Sequence, residues 1–333
     1  MIPKIALLTA IGTVPILAVQ TITSVVTTDV DTTTSDLTRT ITGGNVTYSG
    51  VETRITTLTA AMITYVPLTV SAVATTRRAN LGVNNTSTIW NHNNLADGET
   101  GARTVAGAYS SSMETVFSNN NLRSGTENLF VNTSASPGDS LNNVERMDFV
   151  FSSGFTPSAS LAFTVFERGR GGSGNGNNGG FRIAAITTVS GTGFHTYAPT
   201  IVVVPFNSYD NGGAGIGLSR RYDVYTGPVG FDLNTRFNDN IGPQGLAGVL
   251  VGLNEFGTNS TIFGYSILPS DVTTNNAANL SNWNNPAFFP TNSGTSNDVD
   301  LVASGAQILQ VIPEPSSMLL AGLGFLVLAR RRR

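Results

Sequence analysis

His92 and His195 are the only two histidines in this 333-residue chain, and it has no cysteine. A serine hydrolase needs an imidazole between an activated serine and a carboxylate, yet neither histidine has that context and no Gly-x-Ser-x-Gly turn occurs. Both are expected as solvated residues of a loop or strand edge. Ligand-spaced clusters of His or acidic residues are also missing from the sequence, so no zinc site is expected. Without cysteine there are no disulfides, thiolate ligands or Cys nucleophile, and the redox compartment is left open.

Two acidic pairs, Asp97 with Glu99 and Asp223 with Asp232, are the nameable candidates for glycoside hydrolysis. That reaction needs two carboxyls facing each other across a cleft about 5 to 9 Å wide, which spacing alone does not supply. Ordinary surface charge is the simpler assignment, and the chain is expected not to be an enzyme. No cofactor is expected; calcium is the one candidate, because it takes oxygen ligands from Asp, Asn and carbonyls. The runs Asp232 to Asp239 and Asn297 to Asp300 offer such oxygens. Arg236 stands where a third ligand of the first run would fall, and the loop glycine is absent. Plain turns account for both runs. The glycine-rich stretch 171–180 lacks the Lys-Ser or Lys-Thr of a phosphate loop and is expected as a hairpin tip.

Aromatic residues give one more handle. Trp90, Trp283, Tyr209, Tyr222 and Tyr225 stand among Asn and Asp, the mixture with which a glycan-binding face stacks on sugar rings and hydrogen-bonds their hydroxyls. The competing assignment is that Trp90 and Trp283 close the core at the bases of loops.

These residues must be carried by a folded body. The chain holds 43 Thr, 32 Asn, 30 Ser and 36 Gly, with only 12% charged residues, while 40% are apolar. That is enough for a core, and the low net charge argues against disorder. Outside the two ends, 13 Arg stand against 20 acidic residues. An acidic body is a poor partner for nucleic acid, whose binding relies on clustered Lys and Arg.

Period-two alternation recurs between residues 40 and 310. Met147, Phe149 and Phe151 share one face of a strand and Arg146 and Asp148 the other, which predicts a half-buried strand with its charges in water. Leu161, Phe163 and Val165 repeat the pattern, as do Phe181, Ile183 and Ala185. Further strands are expected over 45–54, 55–73, 200–204, 221–226, 248–253, 261–268 and 299–310. Gly, Pro and Asn separate them. Many short strands without alternating helices predict a mainly β fold: an antiparallel two-sheet, jelly-roll-like sandwich with one or two short helices. One helix is expected from Thr104 to Phe117, on the spacing of Val105, Tyr109, Met113 and Val116. Surface Thr suits this architecture, since it is β-branched yet tolerates water.

The ends are different in kind. An apolar stretch, residues 5–19, follows Lys4 and gives way abruptly to Thr, Ser and Asp. Residues 1–24 are therefore expected as a secretory signal peptide, with a buried first strand or helix as the alternative. A Thr-rich β segment, 25–80, and a sandwich body, 81–310, would follow. At the other end Pro313, Glu314 and Pro315 precede an apolar run, 316–329, and the cluster Arg330, Arg331, Arg332 and Arg333. The prolines stop a strand, and Glu314 with Pro315 suits a helix start. A C-terminal hydrophobic helix over the 14 residues of the apolar run would be about 21 Å long at about 1.5 Å per residue, a short membrane span. Snorkelling Arg side chains would lie on the cytoplasmic side, which places the body outside.

Pro-Glu-Pro, apolar helix and terminal Arg cluster, in that order, resemble the PEP-CTERM sorting signal of Gram-negative bacteria. The resemblance implies processing by a membrane-embedded exosortase near Pro315, with transient anchoring in the inner membrane. It further implies delivery of the body to the cell surface or an exopolysaccharide matrix. The stretch 265–301 is also similar to the distal ends of β-rich bodies on such proteins, a likeness used for fold class alone.

Overall fold

A computed structural model describes residues 19–31, 38–42, 45–49, 51–78, 86–92, 104–105, 112–118, 120–126, 129–130, 144–170, 180–205, 216, 220–228, 235–290, 299–303 and 307–312. The strands in chain order begin with β1 (Val19–Asp31), β2 (Thr38–Thr42), β3 (Asn45–Ser49), β4 (Val51–Ala60), β5 (Ile63–Pro67) and β6 (Ala72–Arg78). After them come β7 (Thr86–His92), β8 (Thr104–Val105), helix α1 (Met113–Phe117), β9 (Ser124–Thr126), β10 (Val144–Phe155) and β11 (Leu161–Arg170). The chain continues through β12 (Phe181–Thr188), β13 (Thr196–Val204), β14 (Arg220–Pro228), β15 (Thr235–Gly252), β16 (Ile262–Pro269) and β17 (Ile308–Val311).

The fold is mainly β and its two large sheets are antiparallel, but one of them is not an open sandwich layer. Strands pair in the order β1-β4-β5-β17-β11-β15, and β1 pairs again with β15. That return contact closes a six-stranded barrel. Closure rests on three register pairs, Val19 with Val251, Gln20 with Leu250 and Thr21 with Val249. β15 is long enough, at 18 residues, to carry β14 on its first half, and β7 and β9 extend the sheet beyond β14. Closure removes the exposed edges that a flat sheet would leave. Sequence periodicity predicts which face of a strand is buried; it does not say whether the last strand meets the first.

Alternation along each strand divides the barrel wall between two cores. Ile22, Leu58, Tyr65, Ala162, Phe166, Leu246, Leu250 and Leu309 point inward and fill the barrel together with Trp90. Phe163, Val165, Val249, Val251 and Ile308 point outward. They meet the five-stranded sheet β13-β12-β16-β10-β6 through Met147, Phe149, Phe151, Ile183 and Tyr265. Tyr265 packs 4.4 Å from Phe163 and 4.9 Å from Phe149, centroid to centroid. The far face of that second sheet is covered over its middle, while Val73 of β6 and Val203 of β13 stay exposed at its two edges. Its far side lies under residues 270–290, whose Val272, Leu280 and Phe289 pack on Ala184, Ile186 and Leu268. The half-buried strand expected around Arg146 and Asp148 is therefore buried on both faces.

The helix is shorter than expected. Thr104 and Val105 form β8, which pairs parallel to β3 in a small separate sheet with β2, and only Met113–Phe117 is helical. Tyr109 lies outside the described residues. Ser112 caps the helix by accepting from the Thr115 N–H at 3.2 Å. Burial lowers the Arg78 pKa to about 10, against the opposing pull of the Glu114 carboxylate. The Thr-rich stretch is built into both large sheets, through β4 and β5 in the barrel and β6 beside β10.

Candidate functional site

A buried polar cluster occupies the covered face of the five-stranded sheet. It arises from strand geometry: Arg146 and Asp148 are two apart on β10, so they share a face, and Ser266 on the neighbouring β16 pairs with Asp148 in register. Arg146 grips the Asp148 carboxylate with two bonds, Nε to Oδ1 at 2.7 Å and an Nη to Oδ2 at 3.0 Å. Arg77 adds a bond at 2.9 Å and Ser266 one at 2.6 Å. His195 Nε2 lies 3.2 Å from Oδ2, within ion-pair distance but off the line of a good hydrogen bond. Burial, the largest influence, would raise the Asp148 pKa. The close contact with His195, the Arg146 charge and the bonds from Arg146 and Ser266 outweigh it and hold the carboxyl well below the usual carboxylate range.

The same groups clamp the surrounding chain. Arg146 also donates to the carbonyls of Leu280 and Gly193, and Ser281 donates to the carbonyl of His195 at 2.7 Å. Gly193 has φ +83°, a left-handed conformation that favours glycine, and a Cβ there would strike the Arg77 guanidinium. Tyr197 exchanges a hydrogen bond with Ser266 at 2.9 Å, and burial pushes its phenol pKa up, so it stays neutral.

Ser, His and Asp thus meet in one cluster without forming a nucleophile. Ser266 bonds to Asp148 and Tyr197, while His195 Nδ1 accepts from the Ser190 N–H at 3.0 Å. That bond leaves the ring proton of a neutral imidazole on Nε2, facing Asp148. Nothing links serine to imidazole, and all of it is buried. His195 is 4% exposed, so the expected solvated position is corrected: its ring is held by a carboxylate and a backbone N–H.

The aromatic candidates do not share a surface. Trp90 is fully buried in the barrel interior, with the Arg168 guanidinium 5.1 Å from its ring centroid. Trp283 is half-buried in the cap on the opposite side of the five-stranded sheet, where Arg146 and Arg77 lie 4.8 and 5.5 Å from its ring. Tyr222 and Tyr225 occupy β14 opposite His92 and Ile89 of β7; their side chains lie outside the described residues, as do Tyr209, Asp97, Glu99 and Asp232. Asp300, from the second calcium candidate, pairs with Arg168 at 2.7 Å. Neither Arg146 nor Arg168 gave a sequence signal of burial. The two-residue spacing of Arg146 and Asp148 was visible, but the covering segment lies more than a hundred residues later.

The remaining candidate is the C-terminal tail. β17 lies between β5 and β11, the Val311 N–H donates to the Ser160 carbonyl, and the Ile312 N–H donates to the Thr64 carbonyl at 2.9 Å. β17 ends at Val311, two residues ahead of Pro313, which has no N–H with which to extend a ladder. Pro313, Glu314, Pro315 and Arg330 to Arg333 lie outside the described residues, as does the expected C-terminal helix. Among the described residues no helix is long and apolar enough to cross a membrane.

No curated protein and no solved structure matches the chain. One family model does match, over residues 311–333: the PEP-CTERM protein-sorting motif. The motif therefore begins at the last residue of the last barrel strand, and the chain carries a PEP-CTERM sorting signal that marks it for export, sorting in the cell envelope and processing by an exosortase.

Proposed function

We propose that this is a non-enzymatic surface or matrix protein of a Gram-negative bacterium, held transiently in the inner membrane by its tail. After cleavage near Pro315 it is released in association with exopolysaccharide. The observation that carries this reading is the junction at Ile312. The barrel's last backbone bond and the start of the sorting motif coincide, so removal of everything after Pro315 leaves every described strand whole. The polar clusters support the non-enzymatic part, because their donors are spent on holding segments together. Deleting residues 313–333 in the producing cell tests it. The expected result is loss of the protein from the surface and matrix fraction; unchanged retention there overturns the reading.

A second reading, a module with a defined glycan ligand, is favoured by Trp283 and by Phe194 beside it, 60% exposed and 5.2 Å away between centroids. A glycan array probed with the mature protein separates the two. Selective binding that Trp283→Ala abolishes supports the module; no selective binding supports the matrix role.

A further inference from the structure

We propose that one rim of the barrel rests on the membrane surface while the tail is still attached, with the β4–β5 hairpin tip entering the lipid headgroup region. This rests on the sorting reading above and adds an orientation to it. Strand polarity supplies the first step. All six barrel neighbours are antiparallel, so β1, β5 and β11 begin at the end where β4, β15 and β17 finish. The apolar run ahead of Val19 and the tail beyond Ile312 therefore leave from the same rim. Reach supplies the second. Only Pro313, Glu314 and Pro315 separate Ile312 from the apolar run starting at Ser316, a span of at most about 14 Å fully extended. A barrel tied that closely to a membrane-seeking segment must present this rim to the bilayer.

The rim's own residues fit that neighbour. Its hairpin tip is Ala61-Met62, both at positive φ, 47° and 65°. A two-residue turn of this kind normally uses Asn and Gly, because other residues are strained there. Met62 is 90% exposed, the most exposed large apolar side chain among the described residues, so packing within the barrel does not repay the strain. The β10–β11 turn on the same rim, Thr156 to Ser160, carries no charge. At the other end of the same strands stand Asp29 and Asp31 in β1, Glu52 and Arg54 in β4, and Arg170 in β11. A rim with a projecting Met and, among its described turns, the single charge of Glu255 just past β15 can meet a headgroup layer at less cost than the more heavily charged end.

Because the chain has no cysteine, single-site labelling is clean. Met62→Cys and, as a wall control, Val26→Cys would each carry an environment-sensitive fluorophore on the full chain in phosphatidylethanolamine–phosphatidylglycerol vesicles. Val26 is also exposed, at 58%, and lies along β1 away from the rim. The expected result is a blue-shifted label at position 62, quenched by lipid-borne nitroxide at least threefold more than the label at 26. Equal or weaker quenching at 62, in chains that float with the vesicles, overturns the orientation and leaves the sorting reading standing. Chains that fail to float overturn both. Circular dichroism of each variant establishes that the β fold is retained.

Discussion

Both tryptophans of the chain lie against a buried arginine, yet the two clusters are assembled from different distances. Arg146 and its carboxylate, Asp148, sit two residues apart on one strand, both with fully buried side chains, and together they hold the cap that carries Trp283. Arg168 reaches Asp300 across 132 residues of sequence, and Asp300 keeps 16% of its side chain exposed. That second pair forms only when residues 299–303 seat on β11, where the Val302 N–H donates to Phe166 and the Arg168 N–H to Asp300. The contrast separates two tasks. The local pair is a prebuilt anchor that a later segment docks onto, whereas the long-range pair is a seam closing one end of the barrel beside Trp90. Neither arrangement presents aromatic rings as a common flat face.

The most damaging test is Asp148→Ala. It leaves Arg146 charged, buried and without its carboxylate, and is expected to cost about 3 to 5 kcal/mol in urea unfolding. Asp300→Ala should cost less, because Asp300, unlike Asp148, keeps 16% of its side chain exposed, so water can enter the space its carboxylate leaves beside the buried Arg168. Equal losses would erase the distinction between anchor and seam.

Acid gives the next largest effect, and its sign follows from Asp148. Its folded pKa is depressed, so its contribution is complete above the unfolded carboxyl value, about 3.9, and is lost as pH falls below that. Arg146, Arg77, His195, Ser266 and Tyr197 are the groups that face it. Urea midpoints of the wild type should fall steeply below about pH 4, while Asp148→Asn, already weakened, should show a shallower fall. Parallel curves would mean that other carboxylates dominate.

At the seam, Gly125→Ala places a Cβ 2.1 Å from the Leu301 carbonyl oxygen and 2.5 Å from the Trp90 ring. Backbone cannot yield there as a side-chain tip can, so a loss of about 1 to 3 kcal/mol is expected, with an altered Trp90 emission spectrum. The smallest effect is expected for Tyr65→Phe. Among the described residues the Tyr65 hydroxyl has no hydrogen-bond partner in the barrel, and burial raises its pKa. Its removal should leave the melting temperature unchanged or slightly higher.

How much of this could be seen in the residues alone varies by feature. Strands β10, β11, β12 and β16 follow from alternation of residues such as Met147, Phe149 and Phe151, because one face of each always meets the inter-sheet core. Barrel closure could not follow, since it depends on Val19, Gln20 and Thr21, which overlap the segment expected to be a removed leader. A cut after Ser24 would take those residues and open the ring. Burial of Arg146 and Asp148 was hidden for a related reason: alternation says that two residues share a face, and only the docking of residues 270–290 decides whether that face is wet. The sorting tail was the most legible part, because its meaning lies in residue order and not in tertiary contacts.

On the function proposed above, the C-terminal segment is an address removed from a barrel that keeps all its described strands. Intact-mass measurement of the protein recovered from the cell surface tests this most directly. The expected chain retains Ile312 and has lost Arg330 to Arg333, with its end near Pro315. A surface form that still carries the four arginines would contradict it.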